Sequence, residues 1–198
     1  MRSGRAVAII AAILLLSAGA AGAFAVWHGA NRQTLVEDLQ RGGYVIYLRH
    51  AQRLKGDRET LGPDSPLSAF DDCSLQRNLT PYGEGQAVLL GNVLRHWSVG
   101  FDQVIANPLC RTRQTAMLAF GRVTLDQNMY DPQFVRKMLA TRPRPGLNNV
   151  LVGSESQLRE IIGDQIEPAE MAIFMPDGAG GFSLVGRIPP EQWLTKER

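Results

Sequence analysis

Tyr44-Val45-Ile46-Tyr47-Leu48-Arg49-His50 is the most strongly patterned stretch of this 198-residue sequence. Five aromatic, β-branched or aliphatic residues follow the break at Gly42-Gly43, and such a run reads as a strand buried on both faces, the kind found in parallel sheets. The run ends abruptly in a guanidinium and an imidazole. In open α/β sheets, ligands bind just beyond the carboxyl ends of the strands. Arg49 and His50 at such an end point to an anionic substrate with a nucleophile or base beside it.

Outward from this strand the chain alternates strand and helix signals. On the N-terminal side, Leu35 and Leu39 with flanking charges predict a helix over residues 31–41. After His50 comes a polar segment, Ala51 to Asn78, too long for a plain connection and read as an active-site loop. Thr80-Pro81 supplies an N-cap and a first-turn proline, and Ala87, Leu90, Val93, Leu94 and Trp97 mark the buried face of the helix that follows. A strand over 101–106 breaks at Asn107-Pro108, and a helix runs from about Arg111 to Phe120. Val123-Thr124-Leu125 forms a short strand, and Asp131-Pro132 opens another helix. A strand over 149–153 leads into a helix over 155–162. Two strands, 171–175 and 182–188, close the chain around Pro176-Asp177-Gly178. This order predicts an α/β fold, a three-layer α/β/α sandwich whose central sheet is mostly parallel with an antiparallel C-terminal hairpin. The domain spans residues 31–198.

Residues 1–30 read differently. Arg2 and Arg5 precede an apolar run from Val7 to Leu16, then small residues with A-x-A sites at Ala21-Gly22-Ala23 and Ala23-Phe24-Ala25. This is the pattern of a secretory signal peptide. The charge-free span is also long enough for an uncleaved anchor, with membrane attachment through residues 6–27. Both readings place the domain outside the cytoplasm, in the periplasm or an equivalent compartment. The net charge of +2 comes from the leader: without Arg2 and Arg5 the 21 basic residues fall to 19, equal to the 19 acids. A neutral domain excludes the net basic face of a nucleic-acid binder. Two cysteines, Cys73 and Cys110, suit one disulfide in an oxidising compartment. The alternative is two buried thiols, and two cysteines alone cannot build a zinc site.

Three ordered motifs carry a family resemblance. Arg49-His50-Ala51 at a strand end resembles the Arg-His-Gly of the histidine phosphatase (phosphoglycerate-mutase-like) superfamily. Leu79-Thr80-x-x-Gly83-x-x-Gln86-Ala87 matches that family's Leu-Thr-x-x-Gly-x-x-Gln-Ala. Asn107-Pro108 followed by Arg111-x-x-Gln114-Thr115-Ala116 matches its Ser-Pro and Arg-x-x-Gln-Thr-Ala, with Asn in place of Ser. The leader, the cysteine pair and the closing hairpin resemble an exported branch, and the resemblance covers about residues 42–188.

The resemblance implies a metal- and cofactor-independent phosphomonoesterase acting through a phosphohistidine on His50 on a small phosphorylated substrate. Envelope phosphoesters, including lipopolysaccharide sugar phosphates, are the substrates an exported member would meet. The chemistry is coherent: a neutral imidazole is a nucleophile near neutral pH, and Arg49 and Arg111 can hold non-bridging oxygens through charge-assisted bonds. Arg53 is a third phosphate contact or a solvated loop arginine; Arg113 reads as surface.

One position departs from the pattern. Where the family ends the third strand in a second histidine, this chain has Val152-Gly153-Ser154. Ser154 can donate one hydrogen bond to phosphate but carries no charge, and losing one preorganised contact costs roughly 3–4 kcal/mol. The rival reading is therefore a pseudophosphatase, a module that binds phosphorylated ligands in an arginine-lined pocket. Candidates for the general acid are Glu84, Glu155, Glu167 and Glu170, with Glu170 ranked first from its place before a strand where exported relatives carry a glutamate. His28 lies in or beside the leader, His96 reads as a helix-surface residue, and no His pair at helical spacing signals a metal.

Overall fold

The computed structural model describes residues 31–56 and 61–194; the leader over residues 1–30, whether signal or anchor, lies outside them. The elements follow in the order α1 (Arg32–Arg41), β1 (Val45–Arg49), α2 (Pro81–His96), β2 (Phe101–Ala106), α3 (Cys110–Phe120), β3 (Thr124–Leu125), α4 (Pro132–Leu139), β4 (Asn148–Gly153), α5 (Glu155–Ile162), β5 (Met171–Pro176) and β6 (Phe182–Ile188). They form one six-stranded sheet in the order β3-β2-β4-β1-β5-β6. The first four strands are mutually parallel, while β5 and β6 run antiparallel. The α/β sandwich expected from the sequence is the one observed.

Strand alternation divides the core into two layers. On β1, Ile46 and Leu48 face one side and join Leu35 and Leu39 of α1, Leu90 and Leu94 of α2, and Ala116 of α3. Val45 and Tyr47 face the other side with Val135 and Leu139 of α4 and Leu158 of α5. With α1, α2 and α3 on one side and α4 and α5 on the other, both faces of β1 are covered. The continuous apolar run of residues 44–48 follows from that.

Helix starts agree with local chemistry. The side chains of Asn31, Thr80 and Asp131 accept from the backbone N–H groups of Thr34, Gly83 and Gln133 respectively, and proline follows Thr80 and Asp131 at the first turn. Among its described residues, the long segment after β1 has no helix or strand beyond two short 3₁₀ turns, Leu67–Asp71 and Cys73–Leu75. It is held to the body by a disulfide between Cys73 and Cys110, which settles the cysteine question left open by the sequence. Among the described residues no helix is long and apolar enough to cross a membrane.

The chain end adds something unforeseen. After β6, Pro189 to Trp193 folds back over the body in a 3₁₀ turn (Pro190–Gln192) and buries Trp193 to 2% exposure.

Candidate active site

β1, β2 and β4 are parallel neighbours, so their carboxyl ends share one rim, and the segments leaving them carry His50, Asn107 with Arg111, and Ser154. His50 is almost fully buried. Its backbone N–H donates to Gly153 at 3.0 Å, which extends the β1–β4 ladder by one step. The imidazole Nδ1 lies 2.8 Å from the Ala51 carbonyl. A carbonyl only accepts, so Nδ1 carries the proton and Nε2 keeps its lone pair. Burial, then the positive charges of Arg111, Arg49 and Arg53, pushes the imidazole's pKa from 6.5 down to about 3, against the opposing bond to Ala51. His50 is thus a neutral base with Nε2 available, the form that nucleophilic attack requires.

The two downstream motifs hold the chain just after this histidine. Thr80 caps α2 and also donates its hydroxyl to the Gln52 carbonyl at 3.3 Å. Gln86 accepts the Gln52 N–H at 3.0 Å. Gly83 lies so close that a Cβ would sit 1.9 Å from the Gln52 carbonyl oxygen, so only glycine fits. From α3, Thr115 accepts the Ala51 N–H at 3.1 Å and donates to the Arg111 carbonyl at 2.7 Å. Gln114 donates to Glu84 at 2.7 Å and so ties α3 to α2. The motif residues flanking Arg111 therefore fix the exit of β1 and place Arg111 at the start of α3. Its guanidinium is buried, and its charge is felt at His50.

Asn107 stands where the resemblance predicts serine. It is fully buried, and its Oδ1 accepts from the Thr112 hydroxyl at 2.6 Å and the Leu109 N–H at 3.3 Å. Its Nδ2 is buried with no acceptor. Arg49 shows the same feature: Nε is buried without an acceptor, while Nη1 donates to the Ile166 carbonyl and lies 3.2 Å from the Glu155 carboxylate. Two buried N–H donors without acceptors, at the ends of the two parallel strands that flank β4, are unfavourable unless an acceptor arrives from outside.

Ser154 caps the start of α5, but its side chain makes no cap bond. Its backbone carbonyl accepts the Tyr47 hydroxyl at 2.8 Å, and that hydroxyl occupies the space a Gly153 Cβ would need, 2.1 Å away. Burial pushes the Tyr47 phenol far up, so it stays protonated and donates. Tyr47 thereby sets the β4–α5 turn that brings Ser154 to the rim.

Several placements differ from expectation. Glu170 is buried, and both its oxygens are taken: Arg187 Nε donates at 2.6 Å, Arg187 Nη2 at 3.0 Å and the Glu167 N–H at 2.7 Å. Its carboxylate braces Arg187 and raises that guanidinium's pKa. Glu170 is thus an anchor between β5 and β6, not the free acid the sequence reading placed first. Arg49 is shared with Glu155, which also lies 3.7 Å from Arg159. Arg53 joins an isolated bridge to Leu79 and donates to the Leu54 carbonyl at 3.0 Å, and its positive charge is felt at His50. Arg113, read as surface, lies over the disulfide, 3.4 Å and 3.6 Å from the two sulfurs, and 3.7 Å from Asp71. His96 is exposed at the end of α2, as expected. Among the described residues no group of three His, Cys, Asp or Glu side chains is placed to hold a metal ion.

The architecture is the histidine phosphatase fold. Similar solved structures include the protein histidine phosphatase SixA complexed with tungstate, with a TM-score of 0.54 and 18% identity over 74% of this chain and 97% of that one. A phosphoserine phosphatase from Entamoeba histolytica in complex with 3-phosphoglyceric acid gives 0.53 and 15%, over 76% and 99%. A protein from Agrobacterium tumefaciens assigned as a phosphohistidine phosphatase SixA gives 0.51 and 18%, over 75% and 98%. No protein-family model and no curated protein sequence matches the chain. At these identities the likeness establishes the fold, and the chemistry rests on the site itself.

Proposed function

We propose that this protein is a phosphomonoesterase that works through a phosphohistidine on His50. The observation that carries the reading is the buried, neutral His50 with its proton held on Nδ1, on the same sheet rim as the acceptor-less donors Arg49 Nε and Asn107 Nδ2. A phosphoryl group supplies the oxygens those donors lack, and Arg111 adds charge that stabilises the phosphoryl oxygens in transfer. Ser154 offers a hydroxyl at the same rim.

In the first step the Nε2 lone pair forms a bond to phosphorus as the P–O bond to the alcohol breaks. That electron pair passes to the ester oxygen, which must take a proton. Of the four carboxylates considered, Glu84 accepts from Gln114, Glu155 pairs with Arg49, and Glu170 is held by Arg187. Glu167 keeps its side chain clear of such contacts, on the loop where the Ala169 N–H donates to the carbonyls of Arg49 and His50 at 3.1 and 3.2 Å. We assign the proton donor to Glu167. In the second step water attacks phosphorus, the N–P bond breaks, and Glu167 takes the proton back. All groups in this scheme come from the chain, so activity is expected to survive chelation. The leader and the disulfide support an extracytoplasmic location, soluble or tethered through residues 6–27.

A second reading follows from Ser154 and from the Glu155 carboxylate on Arg49: a phosphate-binding module with little turnover. The test is hydrolysis of p-nitrophenyl phosphate by the wild-type protein, His50→Ala and Ser154→His, with chelator present. Activity lost in His50→Ala supports the enzyme. An inert wild type that gains turnover in Ser154→His supports the binding module. If neither wild type nor Ser154→His turns over or binds phosphate, both readings fail.

A further inference from the structure

A groove of about 660 Å³ opens against the segment that leaves β1, lined on one wall by α2 and on the other by the loop before β5 and the folded-back chain end. Tyr82, Gly85, Gln86 and Leu89, spaced i, i+3, i+4 and i+7, present one stripe of α2 to it. Glu167 and Pro168 come from the β5 loop, Glu191 and Trp193 from the chain end. The groove is physically tied to the nucleophile. Gln52 lines it two residues after His50, and the residue after Pro168 donates to the His50 carbonyl.

Its chemistry is selective. No lysine, arginine or histidine lines it. Glu191 is exposed, and its carboxylate has no partner among the described residues. Trp193 is 2% exposed, and its indole N–H is buried without an acceptor. A Cβ on Gly85 would touch nothing within 4 Å, so the α2 wall is dented at its centre. Two carboxylates, the exposed ring of Tyr82 and two amides make a surface that favours an ammonium group and hydroxyls. A second phosphate would meet only negative charge.

Resting on the phosphatase reading above, we infer that this groove receives the alcohol part of the substrate and selects phosphomonoesters that carry an amine. The ester oxygen lies at the Glu167 end, and the ammonium pairs with Glu191 in the groove that Tyr82 also lines.

The test compares kcat/KM for glucosamine 6-phosphate, glucose 6-phosphate and glucose 1,6-bisphosphate on the full chain. An exposed carboxylate–ammonium contact predicts a preference of about fivefold for the amine over the neutral sugar, with the bisphosphate slowest. The preference disappears in Glu191→Gln and turns toward the bisphosphate in Glu191→Lys. Equal rates, or a bisphosphate preference in the wild type, overturn the inference while p-nitrophenyl phosphate hydrolysis leaves the phosphatase reading standing. If nothing is hydrolysed, the phosphatase reading fails and melting temperature reads the groove directly. A larger rise with glucosamine 6-phosphate than with glucose 6-phosphate, lost in Glu191→Gln, supports the inference; equal rises overturn it.

Discussion

Glu155→Gln is the substitution that most directly probes how the site is poised. Glu155 lies 3.2 Å from Arg49, and the two side chains are only 26% and 18% exposed. A phosphate dianion that engages Arg49 must displace this carboxylate or bind beside it. At an effective dielectric constant of about 20, a unit charge about 6 Å from a dianion repels it by roughly 5 kcal/mol. Solvent reaches both groups, so a net penalty of about 2 kcal/mol is the appropriate scale. That corresponds to roughly thirtyfold in affinity. Glutamine keeps the shape and a hydrogen-bonding oxygen for Arg49 while removing the charge. Isothermal titration with inorganic phosphate and with orthovanadate is therefore expected to show binding tightened by about one to one and a half decades. Unchanged or weakened binding would refute the reasoning. It would mean that Glu155 holds Arg49 in its binding geometry and that the pair does not compete with the ligand.

Two further outcomes follow from the same site. With its pKa near 3 in the fold against 6.5 in the ordinary state, His50 stays neutral in the native protein while the unfolded chain takes up a proton. Its contribution to stability is complete above about pH 6.5 and is lost as pH falls toward about 3, at up to about 1.4 kcal/mol per pH unit. His50 imidazole resonances that move between pH 7 and pH 4.5 would contradict this. The disulfide closes a loop between positions separated by 37 residues, worth about 4 kcal/mol in loop-closure entropy. The Cys73→Ala/Cys110→Ala variant is expected to lose about that much in denaturant titration. It is also expected to bind phosphate more weakly, because Arg111 follows Cys110 directly.

The sequence made the sheet and its rim legible because the relevant residues do two jobs. The run 44–48 is apolar since β1 is covered on both faces, and the two downstream motifs are recognisable because Thr80, Gly83, Gln86 and Thr115 all grip the chain after His50. Positions chosen by such close contacts leave a pattern. The charge partnerships left none. That Glu170 belongs to Arg187 depends on the pairing of β5 with β6, and that Arg49 belongs to Glu155 depends on the turn set by Tyr47 against Gly153. Glu155 stands next to Ser154 in the sequence and is a candidate acid there, but its partner Arg49 cannot be named from spacing. Asn107 carried a signal, the asparagine in place of serine, whose meaning emerged only when its Nδ2 proved to lack an acceptor. The groove was invisible because Trp193 reaches it from the chain end, which bears no periodic pattern.

A nucleophilic His50 becomes covalently phosphorylated during turnover. The direct measurement is intact-mass and peptide mass spectrometry of protein mixed with p-nitrophenyl phosphate and quenched into base, where the N–P bond persists. One added phosphoryl group is expected on the wild-type protein, located on His50, and none on His50→Ala. Hydrolysis with no adduct at any quench time, or an adduct that remains in His50→Ala, would contradict it.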